Sequence, residues 1–289
     1  MLVGQSAAYS PSGAWFAFSA RPADGSLGPD IYVWKVGEAL ATPITADHRS
    51  IFGSWAGESI VGSTVVETPL GNGEGAAREL VPESFVIDPL TQEIVALPQA
   101  GRAWRPALDP SGRKAVYWAG TLRATEAPGF APDAGRLVLG SWTADGTGVL
   151  DSSADPSSAA SPDASALTGE QAAAHDEVTI AAGRMEDWDA RWDAAGTHLA
   201  VWIADAQDPT VGRLSLYGVS SFDGRIDVKK PLLDAQLATA GFAISDGQLV
   251  WASPSADGAV TGDRIQVLAW TDQGQGQVQS VLGPVIVIR

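Results

Sequence analysis

"DPSGRKAVYW" (Asp109–Trp118) and "DAAGTHLAVW" (Asp193–Trp202) are one phrase written twice, aligned without a gap. The match extends upstream, to "WRPALDPSGRKAVYW" from Trp104 and "WDARWDAAGTHLAVW" from Trp188. A third copy is "YSPSGAWFAFS" (Tyr9–Ser19), a degenerate fourth is "WAGESIVGS" (Trp55–Ser63), and a fifth is "AISDGQLVWAS" (Ala243–Ser253). In each copy a short apolar strand runs into a tight turn, and a second strand follows. Gly13, Gly57, Gly112, Gly196 and Gly247 occupy the turn position where a positive φ is needed, which glycine adopts cheaply. The Asp or Ser three residues earlier in most copies can bond the amides of its own turn. The segments after the glycine, such as "KAVYW" and "HLAVW", suit strands buried on both faces.

A third strand follows each copy after a polar loop: "DIYVWKV" from Asp30, "SFVIDP" from Ser84, "RLVLGSW" from Arg136, "RLSLYGV" from Arg213 and "RIQVLAW" from Arg264. Weaker fourth strands are expected at "TPITA", "EIVALP", "EVTIA", "RIDVKKPLL" and "GQVQSVLG". Four-stranded antiparallel units of roughly 45–50 residues, repeated, predict an all-β chain folded as a β-propeller. One blade cannot cover both of its apolar faces, so neighbours must do so. Five units begin near residues 6, 51, 103, 188 and 241, which predicts five blades. Six is the alternative, because the third and fourth units lie far apart. That interval holds "TADGTGVLDSSADPSSAASPDASALTGEQ" (Thr143–Gln171), Ser/Ala/Asp/Pro-rich and without aromatics, and it is expected to be a flexible insertion. Nothing marks a second domain, so residues 1–289 are expected to form one propeller. The terminal stretches "MLVGQ" and "PVIVIR" are expected to meet in one blade and fasten the ring.

With Ser10-Pro11-Ser12-Gly13 followed by Asp30-Ile31-Tyr32-Val33-Trp34, the first copy resembles the repeat of TolB-type, WD-repeat-like bacterial propellers. Asp109-Pro110-Ser111-Gly112 keeps the turn of that repeat, whereas Asp193-Ala194-Ala195-Gly196 departs from it at the proline. The resemblance implies a propeller over most of the chain and says little about activity. It also implies a place outside the cytoplasm, periplasmic or at the cell surface. A likeness to the extracytoplasmic propellers of anti-sigma-factor-like membrane proteins implies a membrane-associated regulatory setting.

Composition excludes several function classes. The formal charge is −16 and the longest basic run is Lys229-Lys230, so nucleic acid is not an expected partner. No apolar run reaches the roughly 18 residues of a membrane span, and no direct membrane insertion by this segment is expected. The opening "MLVGQSAAYSPSG" lacks the basic and apolar regions of a signal peptide. There are no cysteines, hence no disulfides, thiolate nucleophiles or Cys-bearing metal sites.

Catalytic constellations are hard to assemble. There is no G-x-S-x-G elbow, and His48, His175 and His198 share no metal-ligand spacing. Neither a metal nor a cofactor is expected. "MEDWDARWD" places Asp187 and Asp189 two apart, on one side of an inner strand, but an EF-hand register is missing. A propeller glycosidase would need carboxylates from several blades around the axis. Glu58, Asp109 and Asp246 sit at turns and are expected to point away from it. Trp55, Trp104, Trp188 and Phe242 fall at similar points of the inner strands, with Arg102, Arg105 and Arg191 nearby. A ligand is therefore expected to meet Arg102, Trp104, Asp187, Trp188 and Asp189 at one channel mouth. These residues favour a non-enzymatic binding or sensing module for a protein partner, a carbohydrate or a small polar ligand. A carbohydrate-active hydrolase using axial carboxylates is the alternative.

Overall fold

The computed structural model describes residues 7–22, 25, 28–70, 77–97, 102–125, 129–142, 177–222, 225–254, 263–271 and 274–285. The Thr143–Gln171 insertion, His175 and the "MLVGQ" terminus lie outside them, as do the last four residues of "PVIVIR". Among the described residues the chain is all-β, and every strand pairing is antiparallel.

The strands follow one another as meanders. The first holds β1 (Ala7–Tyr9), β2 (Trp15–Ala20), β3 (Asp30–Lys35) and β4 (Thr42–Pro43). The second holds β5 (Ile51–Ala56), β6 (Ser59–Pro69), β7 (Arg78–Ile87) and β8 (Ile94–Ala96). The third holds β9 (Ala103–Leu108), β10 (Lys114–Ala124), β11 (Phe130–Ser141) and β12 (Glu177–Ala182). The fourth holds β13 (Trp188–Trp192), β14 (His198–Ala204), β15 (Val211–Phe222), β16 (Arg225–Val228) and β17 (Leu233–Thr239). The last holds β18 (Phe242–Ser245), β19 (Gln248–Ser253), β20 (Asp263–Thr271), β21 (Gly274–Gln275) and β22 (Gln279–Val285). The first strands of successive meanders touch in order, β1 on β5, β5 on β9, β9 on β13 and β13 on β18. That is propeller-type order, with the meanders stacked face to face around their first strands.

The repeated phrase is a turn built the same way each time. Gly13, Gly57, Gly112, Gly196 and Gly247 have φ of +71°, +59°, +68°, +67° and +76°. Asp109 Oδ1 accepts the amides of Arg113 and Lys114 at 2.9 and 2.8 Å. Asp193 Oδ1 accepts those of Thr197 and His198 at 2.8 and 3.0 Å. The carboxylate thus holds both amides that begin the second strand, which is why Asp recurs there.

Side-chain alternation explains the two-sided burial. On β10, Ala115 and Tyr117 pack toward the second meander with Val61, while Val116 and Trp118 pack toward the fourth with Trp188, Leu199 and Val201. Equivalent clusters join the first meander to the second through Ile31, Phe52 and Phe85, and the fourth to the last through Trp202, Leu216 and Trp251. The core therefore lies between meanders rather than within any one, and the phrase repeats because each interface needs the same wedge.

One feature departs from a simple repeat. The β6–β7 and β10–β11 hairpins run beyond their meanders, and Leu122 on β10 pairs with Leu80 on β7. This single pairing merges two meanders into one eight-stranded sheet. Gly120 and Gly135 face each other where β10 kinks, with φ of +150° and +152°. A Cβ on either would fall 2.2 Å from a carbonyl oxygen of the opposite strand, so only glycine allows the kink.

Candidate functional site

The first strands and the turns after them enclose a cavity of about 920 Å³. Its walls come from four meanders: Tyr9 on β1, Phe52, Ser54 and Trp55 on β5, Arg105 on β9 with Asp109 in its turn, and Asp189, Arg191 and Trp192 on β13.

Local geometry explains how these side chains reach it. The β9–β10 register slips between Trp104 and Ala107, and Arg105 in that slip has a left-handed φ of +55°. A bulge re-aims the residue it displaces, and for a non-glycine the conformation costs on the order of 1 kcal/mol. β5 carries its own irregularity at Gly53, where a Cβ would lie 2.8 Å from the Pro106 carbonyl oxygen. Ser54 then bridges the strands, donating to Pro106 O at 2.8 Å and accepting the Leu108 amide at 3.1 Å. Two indoles repeat one tie between meanders: Trp55 Nε1 donates to Ala8 O and Trp192 Nε1 to Ala107 O, both at 3.0 Å.

The charged groups form a connected set. Arg105 Nη1 donates to Asp187 Oδ1 at 2.6 Å and Nη2 to the Trp188 carbonyl at 3.0 Å, with its guanidinium 5.1 Å from the Trp188 ring centroid. Arg191 grips Asp189 Oδ2 through Nε at 3.1 Å and Nη2 at 3.0 Å. Arg191 Nη1 donates to the Phe242 carbonyl, and the guanidinium lies 4.6 Å from the Phe242 ring centroid. Asp189 is fully buried, and its Oδ1 has no hydrogen-bond partner among the described residues. Burial pushes the Asp189 carboxyl up to about 7 and Asp187 adds to the rise, against the pull of Arg191 and Arg105. Asp109 is different. Burial works to raise it, but the Ser111 hydroxyl, the Lys114 amide and the Lys114 ammonium outweigh burial and hold it below its ordinary value. Lys114 Nζ lies 3.2 Å from Asp109 Oδ2, donates to Gly196 O at 2.9 Å and sits 5.3 Å from the Trp192 ring centroid.

Of the residues expected at the channel mouth, Asp189 lines the cavity and the others do not. Trp104 and Trp188 are 1% and 0% exposed and belong to the core between the third and fourth meanders, so packing removes them from any ligand. Asp187 stands ahead of β13, paired to Arg105. Arg102 is exposed in the turn before β9. The supposed equivalence of Trp55 with Trp104 and Trp188 also fails. Trp104 and Trp188 pair with Trp118 and Ile203, at the starts of their strands, whereas Trp55 pairs with Ile60 beside the turn. The residue placed like Trp55, beside its turn, is Trp192, which pairs with Leu199. Asp109, expected to point away, lines the cavity but has both oxygens engaged.

The remaining titratable candidates are structural. His48 Nδ1 lies 2.7 Å from the buried Asp30, and His198 Nδ1 lies 2.9 Å from Asp193 with its ring against Trp270. Glu186 pairs with Arg123 at 2.6 Å, and Glu58 accepts the Ser12 hydroxyl at 2.8 Å. Among the described residues no three His, Cys, Asp or Glu side chains could hold a metal, and no helix is long and apolar enough to cross a membrane.

No family model matches the sequence, and no curated protein does. Solved structures with a similar fold include a protein assigned as a TolB from Agrobacterium tumefaciens, at 14% identity and TM-score 0.43, over 82% of this chain and 70% of that one. A prolyl endopeptidase is similar at 11% identity and TM-score 0.49, over 96% of this chain. An oligogalacturonate lyase from Vibrio parahaemolyticus is similar at 12% identity and TM-score 0.47, also over 96%. The chain spans 35% of the endopeptidase and 64% of the lyase. The TolB is of the type whose repeat the sequence resembles, and no activity is carried over from any of them.

Proposed function

We propose that this chain is a five-bladed, non-enzymatic propeller module that binds a small polar ligand in the cavity among its first strands, in an extracytoplasmic setting. The five consecutive meanders support the blade count, and the TolB-type repeat supports the setting. The observation that carries the binding reading is Arg191, held by the buried Asp189, which lines the 920 Å³ cavity together with Trp55 and Trp192. A concave site with apolar walls and a few fixed polar groups suits recognition. Hydrolysis of a glycoside needs two carboxylates free to act on substrate. Asp109 has both oxygens committed to its own turn and to Lys114, which favours binding over the hydrolase reading.

The test uses protein labelled with 5-fluorotryptophan, whose eleven indoles report separately by fluorine NMR once assigned by Trp→Phe variants. Titration with a library of oligosaccharides, polar metabolites and short peptides is expected to shift Trp55 and Trp192. Shifts confined to other tryptophans, or none across the library, overturn the reading. Release of new reducing ends from a panel of glycosides would instead favour the hydrolase.

A further inference from the structure

We infer that the cavity takes a small organic acid, whose single carboxylate docks on the Arg191 guanidinium while its apolar body lies against Trp55 and Trp192. The inference rests on the binding reading above and names its ligand class.

Exposure decides which charges a ligand meets. Among the described residues the wall holds four charged side chains, Arg105, Asp109, Asp189 and Arg191. The side chains of Asp109 and Asp189 are 1% and 0% exposed, that of Arg105 12% and that of Arg191 39%. Both carboxyl groups are closed off, so the charge presented to the cavity is positive, although the chain carries −16 overall. Arg105 is held by Asp187 at 2.6 Å and by the Trp188 carbonyl, which leaves Arg191 as the cation a ligand reaches. Behind Arg191, burial pushes the Asp189 carboxyl up to about 7. That carboxyl is therefore partly protonated near neutral pH and cancels only part of the Arg191 charge.

Hydrogen bonding points the same way. Ser54 is engaged with Pro106 O and the Leu108 amide, and the Ser111 hydroxyl donates to Asp109. The indole N–H groups of Trp55 and Trp192 donate to the carbonyls of Ala8 and Ala107. Arg191 has five N–H groups, and its contacts with Asp189 and the Phe242 carbonyl use three of them. Two donors and a positive charge remain. A carboxylate accepts from such donors in charge-assisted bonds, roughly twice as strong as neutral ones, whereas an ammonium is repelled and an amide brings no charge. The same contacts hold the guanidinium in place before the ligand arrives, which lowers the entropy cost of binding. One cation matches one negative charge, and a phosphate dianion would leave a second uncompensated in a partly enclosed space. The half-buried rings of Trp55 and Trp192 supply apolar walls for the rest of the acid.

The test follows the Trp55 and Trp192 fluorine resonances of the labelled full chain during titration with probes matched in their apolar body. These are 3-phenylpropionate, 3-phenylpropionamide, 3-phenylpropylamine and 2-phenylethyl phosphate, with hexanoate and hexanamide repeating the comparison without a ring. Both carboxylates are expected to shift the two indoles at concentrations about tenfold or more below every other probe. Arg191→Gln is expected to weaken 3-phenylpropionate about tenfold or more, and Arg191→Lys, which keeps the charge, to weaken it less. The melting temperature of each variant separates loss of fold from loss of contact. If Arg191→Gln does not fold, the wild type decides, because its affinity for 3-phenylpropionate should fall about threefold or more between roughly 20 and 500 mM NaCl. An equal or stronger response to the amide, amine or phosphate overturns the inference. So does unchanged affinity in folded Arg191→Gln, or an affinity insensitive to salt. Another ligand class moving the two indoles would leave the binding reading standing, and that reading fails separately, when nothing in the wider library moves Trp55 or Trp192.

Discussion

Two turn glycines with nearly the same backbone differ in what lies beside them, and substituting each by alanine separates two sources of stability. Gly112 and Gly196 have φ of +68° and +67°, so alanine pays the same left-handed backbone cost at both, about 1–2 kcal/mol. A Cβ at Gly112 meets nothing within 4 Å. A Cβ at Gly196 lands 3.0 Å from Asp109 Oδ2 and 3.3 Å from Pro110 Cδ in the neighbouring meander. That carboxylate has little freedom to retreat, because Ser111 holds Oδ2 at 2.7 Å and the Arg113 and Lys114 amides hold Oδ1. Lys114 Nζ also binds Gly196 O, so moving the turn loosens the same junction. The crowding adds about 1 kcal/mol. Gly112→Ala is therefore expected to cost about 1–2 kcal/mol and Gly196→Ala about 2–3 kcal/mol. Guanidinium unfolding followed by tryptophan fluorescence measures both, and each 1 kcal/mol should lower the melting temperature by about 2–4 °C. Equal losses would show that the contact between adjacent turns contributes nothing. No loss at Gly112 would refute the backbone argument itself.

Asp189 makes stability depend on pH in the direction opposite to carboxylates that partners hold low, such as Asp109. Its folded value of about 7 stands above its ordinary 3.8, so between these values the folded state holds the extra proton and stability falls as pH rises, by up to about 1.4 kcal/mol per pH unit. Unfolding curves of Asp189→Asn at several pH values should lack this slope, and an identical pH profile in wild type would disprove the burial effect. Trp188→Ala is expected to cost about 3–5 kcal/mol in denaturant, because the indole is fully buried between meanders. Arg102→Ala, in an exposed turn, should stay within about 0.5 kcal/mol, and the reverse order would restore the channel-mouth assignment. Lys114→Met removes the ammonium that lies over Trp192 and leaves the buried Asp109 without its cation, so a loss of about 2–3 kcal/mol is expected by thermal unfolding. A more stable variant would mean that the ion pair costs more than it contributes.

The sequence by itself determined the units. A positive-φ glycine and a carboxylate that holds its own turn are local requirements, so they are visible at Asp109–Gly112 and Asp193–Gly196 without any knowledge of neighbours. The strand after each turn, apolar on both faces, already implied that meanders must cover one another. The long β6–β7 and β10–β11 hairpins were not legible, because their joining pair, Leu80 with Leu122, spans two units. Of the cavity wall, the sequence singled out Trp55, Arg105, Asp189 and Arg191 along the inner strands, but not Trp192. Alternation along β13 puts Trp188 and Asp189 on opposite sides, but it does not say which side meets a neighbouring meander and which meets the cavity. Stacking decides that, and it buried Trp104 and Trp188 while leaving Trp55 and Trp192 at the wall. Arg105 reaches the cavity through a one-residue slip in pairing with β10, and such a slip is set by contacts across strands rather than by composition along one. What the chain could specify locally, turns and strands, stood in its letters; which side chains share a space was decided by how the meanders stack.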